Sequence, residues 1–189
     1  MIKLAKYSMG YRSKLIIDCY KKWLRKGDKV LDVGCGNGIV SRELQTYFRL
    51  AITGCDIQNY LKYKIPFTQM LSEDSLPFKG KTFDVIMFND VLHHTAKENQ
   101  QKLIKDALRV ADKVLIFEVQ PTLWGKTFDY ILNNIHYKNL NIPFTFRTNE
   151  EWVSLFANLQ AKYEMQKVRK PFFYPFLHTA FCVMNSYED

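Results

Sequence analysis

Long apolar runs are missing from this 189-residue chain. No stretch approaches the roughly 18 consecutive apolar residues that a membrane-spanning helix needs. The opening Met1-Ile2-Lys3-Leu4-Ala5-Lys6 also lacks the apolar core of a secretory leader. Cysteine is sparse, and Cys19, Cys35, Cys55 and Cys182 show no metal-ligand spacing. A reduced, cytoplasmic protein without a bound metal is the expectation. Repeats, low-complexity tracts and a composition break are missing too, so residues 1–189 read as one domain with a full core. Acids are in deficit: 19 Asp and Glu face 27 Lys and Arg, a net charge of +8. That excess is local. Residues 1–29 hold nine basic residues against two acids (+7), and residues 30–189 hold 18 against 17 (+1). Such a segment either attracts an anionic substrate, a membrane surface or nucleic acid, or is simply a solvated helix face.

Glycine is scarce as well, at eight residues, yet three of them stand at 34, 36 and 38. Val30-Leu31-Asp32-Val33 reads as a short buried strand that runs into this glycine loop. A helix then opens at Ile39 with Val40, Leu44, Tyr47 and Phe48 on its apolar side. Glycines there permit backbone angles closed to other residues and leave no Cβ between main chain and ligand. A dinucleotide fingerprint would need a third glycine where Ile39 stands. Asp32, just before the loop, suits a cation better than a pyrophosphate, so a nicotinamide oxidoreductase ranks last. Ala51-Ile52-Thr53-Gly54-Cys55-Asp56 is a second strand ending in an acid, and Asp56 can accept hydrogen bonds from both hydroxyls of an adenosine ribose.

Asp32-Val33-Gly34-Cys35-Gly36-Asn37-Gly38, then Gly54-Cys55-Asp56-Ile57, then Ser75-Leu76-Pro77-Phe78 through Phe83-Asp84-Val85-Ile86-Met87-Phe88-Asn89-Asp90-Val91-Leu92-His93-His94, stand in that order. The chain resembles the class I S-adenosylmethionine-dependent methyltransferases, and most of all the small-molecule group labelled type 11. The resemblance implies an α/β, Rossmann-like three-layer sandwich whose seven-stranded, mostly parallel sheet has the order 3-2-1-4-5-7-6 and an antiparallel last strand. It implies S-adenosylmethionine as cofactor, held by Asp32, Gly34, Cys35, Gly36, Gly38, Asp56, Ile57 and Asn89. A disulfide between Cys35 and Cys55 would hinder a ligand there. Where the family carries an adenine-binding Asp, this chain has Ser72, with Glu73 next. Either residue can take that hydrogen bond. The sequence after Phe88 is not the N-P-P-Y of base-amine methyltransferases, and no cysteine is placed for pyrimidine C5 chemistry.

Around these motifs the periodicity predicts an amphipathic helix from Ser8 to Arg25, ended by Gly27, within a basic segment 1–27. In the resembled family this helix lies over the cofactor, within reach of Tyr7, Tyr11 and Arg12. A third strand is expected at Pro66 to Leu71, a helix at Lys97 to Arg109, and a strand at Lys113 to Val119 that delivers Glu118 near the cleft. Thr148-Asn149-Glu150-Glu151 is a capping box that opens a helix through Leu159. Two strands follow, at Lys162 to Arg169 and Leu177 to Met184. In the resembled family the insertion at 121–147 lines the acceptor pocket. If Lys126 to Tyr137 is helical, Asp129, Asn133 and His136 share a polar stripe, which is either an oriented base or an exposed face.

His94, His136 and Glu118 are the candidate bases for an oxygen or carbon acceptor, and a thiolate would need none. His94 is otherwise a packed scaffold residue at a helix start. Trp124, Phe128, Tyr130, Tyr137, Phe144, Phe146 and the Phe172–Phe176 turn favour an apolar or aromatic small molecule, methylated at O, N or C. The alternatives are RNA- or lipid-directed methylation through the basic first helix, or a non-catalytic cofactor-binding protein.

Overall fold

Apolar residues in unbroken runs become interior parallel strands, because a strand covered on both faces has no polar side to show. The computed structural model describes residues 2–122, 143–170, 174 and 176–186, with side chains from residue 10 onward. Its strands are β1 (Lys29–Val33), β2 (Ala51–Asp56), β3 (Phe67–Gln69), β4 (Phe83–Asn89), β5 (Ala111–Val119), β6 (Ala161–Lys167) and β7 (His178–Asn185). They form one sheet of order β3-β2-β1-β4-β5-β7-β6. β1 to β5 are parallel neighbours, and β7 runs antiparallel to both β5 and β6.

Alternation along each strand splits the core in two. Val85, Met87, Leu115 and Phe117 point to the face covered by α1 (Ile2–Tyr20) and α2 (Ile39–Phe48), where they meet Ile16, Tyr20, Val40 and Leu44. Ile86, Phe88, Val114 and Ile116 point to the opposite face. There α3 (Lys97–Val110) and α4 (Asn149–Asn158) supply Leu103, Ile104, Trp152 and Phe156. The capping box at α4 is formed: Thr148 Oγ1 accepts from Glu151 N at 3.3 Å, and Glu151 Oε2 accepts from Thr148 N at 2.8 Å.

Several boundaries differ from expectation, by one or two residues everywhere except at the first helix. The first helix begins at Ile2 and stops at Tyr20, five residues short of Arg25. Trp23 and Leu24 remain buried because the chain turns back on Tyr20, whose carbonyl accepts from both of their N–H groups at 2.9 Å. The apolar spacing therefore continued through a turn. β3 is only three residues long, pairing with Gly54 to Asp56.

Sheet order reverses between β1 and β4: β2 and β3 lie to one side of β1, β4 and the remaining strands to the other. In open α/β sheets the crevice at the carboxyl ends of such strands is where ligands bind. Asp32 and the glycine loop lie on one lip, Asn89 to Val91 on the other.

Candidate active site at the β1–β4 crevice

Asp32 lies within β1 near its carboxyl end and is 2% exposed. Its Oδ2 accepts from Ser41 Oγ at 2.6 Å and its Oδ1 from Asn89 Nδ2 at 3.3 Å. Asn89 Oδ1 accepts from the hydroxyl of Tyr20 at 2.9 Å. One buried network thus ties α1, β1, α2 and β4 together. Burial pushes the Asp32 carboxyl up to about 6, and the Ser41 and Asn89 bonds and nearby Arg12 only partly offset it. An anion held out of water in this way favours a cationic ligand beside it.

The glycine loop is left-handed at Gly34, Gly36 and Gly38, with φ of 70°, 50° and 80°. At Gly34 the close neighbour is protein: an added Cβ would stand 2.1 Å from Val91 Cγ2. At Gly38 it would meet Leu61 Cδ2 at 2.8 Å. Two of the three glycines are therefore required by loop packing as well as by φ. Cys35 is buried beneath the loop, its thiol pushed up mainly by burial, and its N–H donates to Cys55 O.

Asp56 Oδ2 accepts from Gly36 N at 2.9 Å and Oδ1 from Ile57 N at 2.8 Å. Burial raises its pKa and these main-chain bonds oppose the rise. A carboxylate has about four accepting positions, so these two donors leave one further position on each oxygen for the ribose hydroxyls. Ile57 and Leu71, beyond the ends of β2 and β3, are 37% and 93% exposed, leaving apolar surface for a flat ring. Ser72 and Glu73 are exposed, and the Ser72 hydroxyl donates to Asp74, which also pairs with Lys102 at 3.3 Å. Asp56 and the Gly36 turn offer a hydroxyl acceptor, Ile57 and Leu71 offer apolar surface of the kind an adenosine uses, and Asp32 offers an acid to a positively charged group beside them.

Glu118 and His93 are each almost wholly buried. Glu118 Oε1 accepts from Val91 N at 2.9 Å and Leu92 N at 2.7 Å, and its Oε2 lies 2.6 Å from His93 Nδ1. Its geometry is that of a clamp on the single 3-10 turn at Leu92–His94. His94 is half-buried, edge-on to His93 at 4.2 Å and to Phe144 at 5.9 Å. Gln100, fully buried, donates to Leu92 O, Thr145 O and Thr145 Oγ1 and so fastens residues 143–147 over that turn. Its place on the apolar stripe of α3 was the only signal of that role. His136, with most of the 121–147 insertion, lies outside the described residues.

Asp90 and His178 were not singled out from the sequence. Asp90 has φ 54°, which turns its carboxylate into the fold. His178 Nε2 lies 3.1 Å from Oδ1 and 3.2 Å from Oδ2, and Arg12 Nη1 is 3.3 Å from Oδ2. Burial alone would raise the Asp90 carboxyl, yet His178, Arg12 and His93 hold it below the ordinary carboxylate value. The remaining signals were a lone acid after a strand's polar end and a histidine opening an apolar strand.

A seven-stranded Rossmann-like sheet of this order, with a buried acid and a glycine loop at its switch point, is an arrangement that suits a nucleoside cofactor. Over residues 9–165 the chain matches the profile of a methyltransferase domain. It belongs to that family, among the class I S-adenosylmethionine-dependent methyltransferases, and its cofactor is S-adenosylmethionine. It is 32% identical over 123 residues to the tRNA (carboxymethyluridine(34)-5-O)-methyltransferase alkbh8 of Xenopus tropicalis, covering 60% of this chain and 18% of that protein. It is 30% identical over 99 residues to the 27-O-demethylrifamycin SV methyltransferase of Amycolatopsis mediterranei strain S699, covering 46% and 36%. The chain thus spans well under half the length of either. A crystal structure of a SAM-dependent methyltransferase from Archaeoglobus fulgidus shares the fold, with TM-score 0.66, 14% identity and coverage of 94% of each chain.

Proposed function

We propose that this chain, as a single domain, transfers a methyl group from S-adenosylmethionine to a small apolar or aromatic acceptor at O, N or C. The observation that carries this reading is the crevice between β1 and β4, where Asp32, Asn89, Asp90 and the glycine loop converge. When bound, the cofactor supplies an electrophilic methyl on positive sulfur. The chain's task is then arrangement: aligning acceptor and methyl can lower the barrier by roughly 7–11 kcal/mol. A base adds about 10²–10⁴-fold, and only where the acceptor must lose a proton.

In this reading Asp56 and Ile57 hold the nucleoside, with Ser72 or Glu73 on the adenine edge. Asp32 and the Gly34–Gly38 loop face the charged end. Phe146, stacked on His93, and Phe144, edge-on to His94, bound the acceptor side as part of the 121–147 insertion. Both relatives' names carry an oxygen position, 5-O in one and 27-O in the other, which favours an oxygen acceptor. No described helix is long and apolar enough to cross a membrane, and all four cysteines are free and buried.

The tRNA-directed relative supports a second reading, in which the basic first segment draws in RNA or an anionic surface. Part of that charge is spent internally: Lys21 pairs with Asp18 at 2.6 Å and Lys22 with Glu164 at 2.9 Å. Lys14 and Arg25 remain exposed. The test is calorimetry with S-adenosylhomocysteine, then label transfer from methyl-tritiated S-adenosylmethionine. Micromolar binding and a labelled small molecule are expected, and absence of binding refutes the reading.

A further inference from the structure

His178 is 4% exposed and sits where β7 enters the sheet opposite Val119 of β5. One face of its ring stacks on Phe117, with centroids 4.4 Å apart and planes at 23°, and Tyr174 lies at 5.8 Å and 30°. Phe176 stands at 6.1 Å, tilted by 56°. The Nε2 edge is spent on Asp90, leaving the Nδ1 edge. Nδ1 is buried and has no hydrogen-bond partner among the described residues. An ionised carboxylate only accepts, so it keeps a proton on Nε2, and in the neutral form of the ring the lone pair then falls on Nδ1. A bare ring nitrogen in an aromatic setting is costly unless a donor arrives to pair with it.

The place is also right. Asp90 follows Asn89 directly, and Asn89 bonds to Asp32; Val91 packs on Gly34. Through Nε2 and Asp90, His178 is therefore anchored to the lip of the crevice. Of the other candidate bases in the described residues, Glu118 is occupied by two main-chain N–H groups and His93, and His94 packs against His93 and Phe144.

We propose that His178 is a catalytic residue that accepts, at Nδ1, the proton of a phenol- or enol-type hydroxyl, with Asp90 as its positioning residue. This rests on the methyltransferase reading. The O–H bond breaks toward Nδ1 as the oxygen's electron pair forms the new bond to the methyl carbon. The carbon–sulfur bond breaks with its electrons kept by sulfur, and the positive charge passes to the imidazolium beside Asp90.

Nitrogen-15 NMR of histidine-labelled protein, with His178→Gln used to assign the signals, reads the tautomer without any turnover. The expected result is Nε2–H with Nδ1 bare in the wild type, and a shift toward Nδ1–H in Asp90→Asn, where an amide can donate to Nε2. With a panel of substituted phenols and 1,3-diketones, His178→Gln and Asp90→Asn should each lower kcat by about 10²–10⁴-fold. Affinity for S-adenosylhomocysteine should change less than threefold, and circular dichroism reports whether each variant is folded. An Nδ1–H tautomer in the wild type, or undiminished kcat in folded His178→Gln, overturns the proposal. A wild type that binds S-adenosylhomocysteine but methylates none of the panel overturns the assigned acceptor class. Failure of the wild type to bind S-adenosylhomocysteine removes the cofactor reading instead, and the NMR result reports on the dyad separately.

Discussion

Asp32→Asn removes one charge from the floor of the crevice and leaves nearly the same shape. The Ser41 hydroxyl can rotate to accept from an amide as easily as it donates to a carboxylate, and Asn89 keeps an oxygen to bond. What changes is the burden of holding an anion out of water. Burial lifts this carboxyl from its ordinary 3.8 to about 6, and that difference corresponds to roughly 3 kcal/mol. The sign follows from proton counting. Between those two values the folded state holds the proton more tightly than the unfolded chain, so stability falls as pH rises through about 6. Asp32→Asn escapes that loss. At pH 7.5 it should be the more stable protein by up to roughly 3 kcal/mol, and by roughly 6–12 °C in Tm for a chain of this size. Below about pH 4 the two curves should meet, because Asp32 is then protonated in both states. Thermal unfolding of both proteins from pH 4 to 8 measures this directly. The variant should at the same time bind S-adenosylmethionine less tightly. A stability difference that does not vary with pH, or a variant less stable at pH 7.5, refutes the reasoning.

Gly34→Ala combines a φ of 70° with a Cβ 2.1 Å from Val91 Cγ2, so it should lower stability by about 2–4 kcal/mol. Val91→Ala in the same chain should restore about 1 kcal/mol or more, and a double-mutant cycle in urea reads that coupling. Neutralising Lys14, Lys21, Lys22 and Arg25 together should leave stability nearly unchanged, since exposed ion pairs contribute little. If the second reading holds, binding to RNA or anionic vesicles falls and its salt dependence weakens, and unchanged binding in a filter or flotation assay removes these four residues from any such role.

The legible parts of the fold were those where one physical demand dominates. β4 and β5 are buried on both faces, so their apolar runs announced them, and the polar residues Asp32, Asp56 and Asn89 marked where the strands reach the crevice. The capping box at Thr148 was legible because a Ser or Thr followed by Glu three residues later has one local use. The end of the first helix was not, since inward-facing Trp23 and Leu24 keep helical spacing through a turn. The pairing of Asp90 with His178 was invisible for a different reason. Eighty-eight residues separate them, and they meet only because β7 returns antiparallel beside β5. Local pattern carries no trace of such a contact. Glu118 showed its position but not its occupation, because the donors on it are main-chain groups that any sequence would supply.

The account's central claim is that the acid at the tip of β2 and the glycine loop beside it grip the nucleoside of S-adenosylmethionine. Calorimetric titration of S-adenosylhomocysteine into the wild type and Asp56→Ala tests it most directly. The expected result is micromolar affinity for the wild type and a loss of tenfold or more in the variant, equivalent to one or two charge-assisted hydrogen bonds. Equal affinity in a folded Asp56→Ala, or no binding by the wild type, contradicts it.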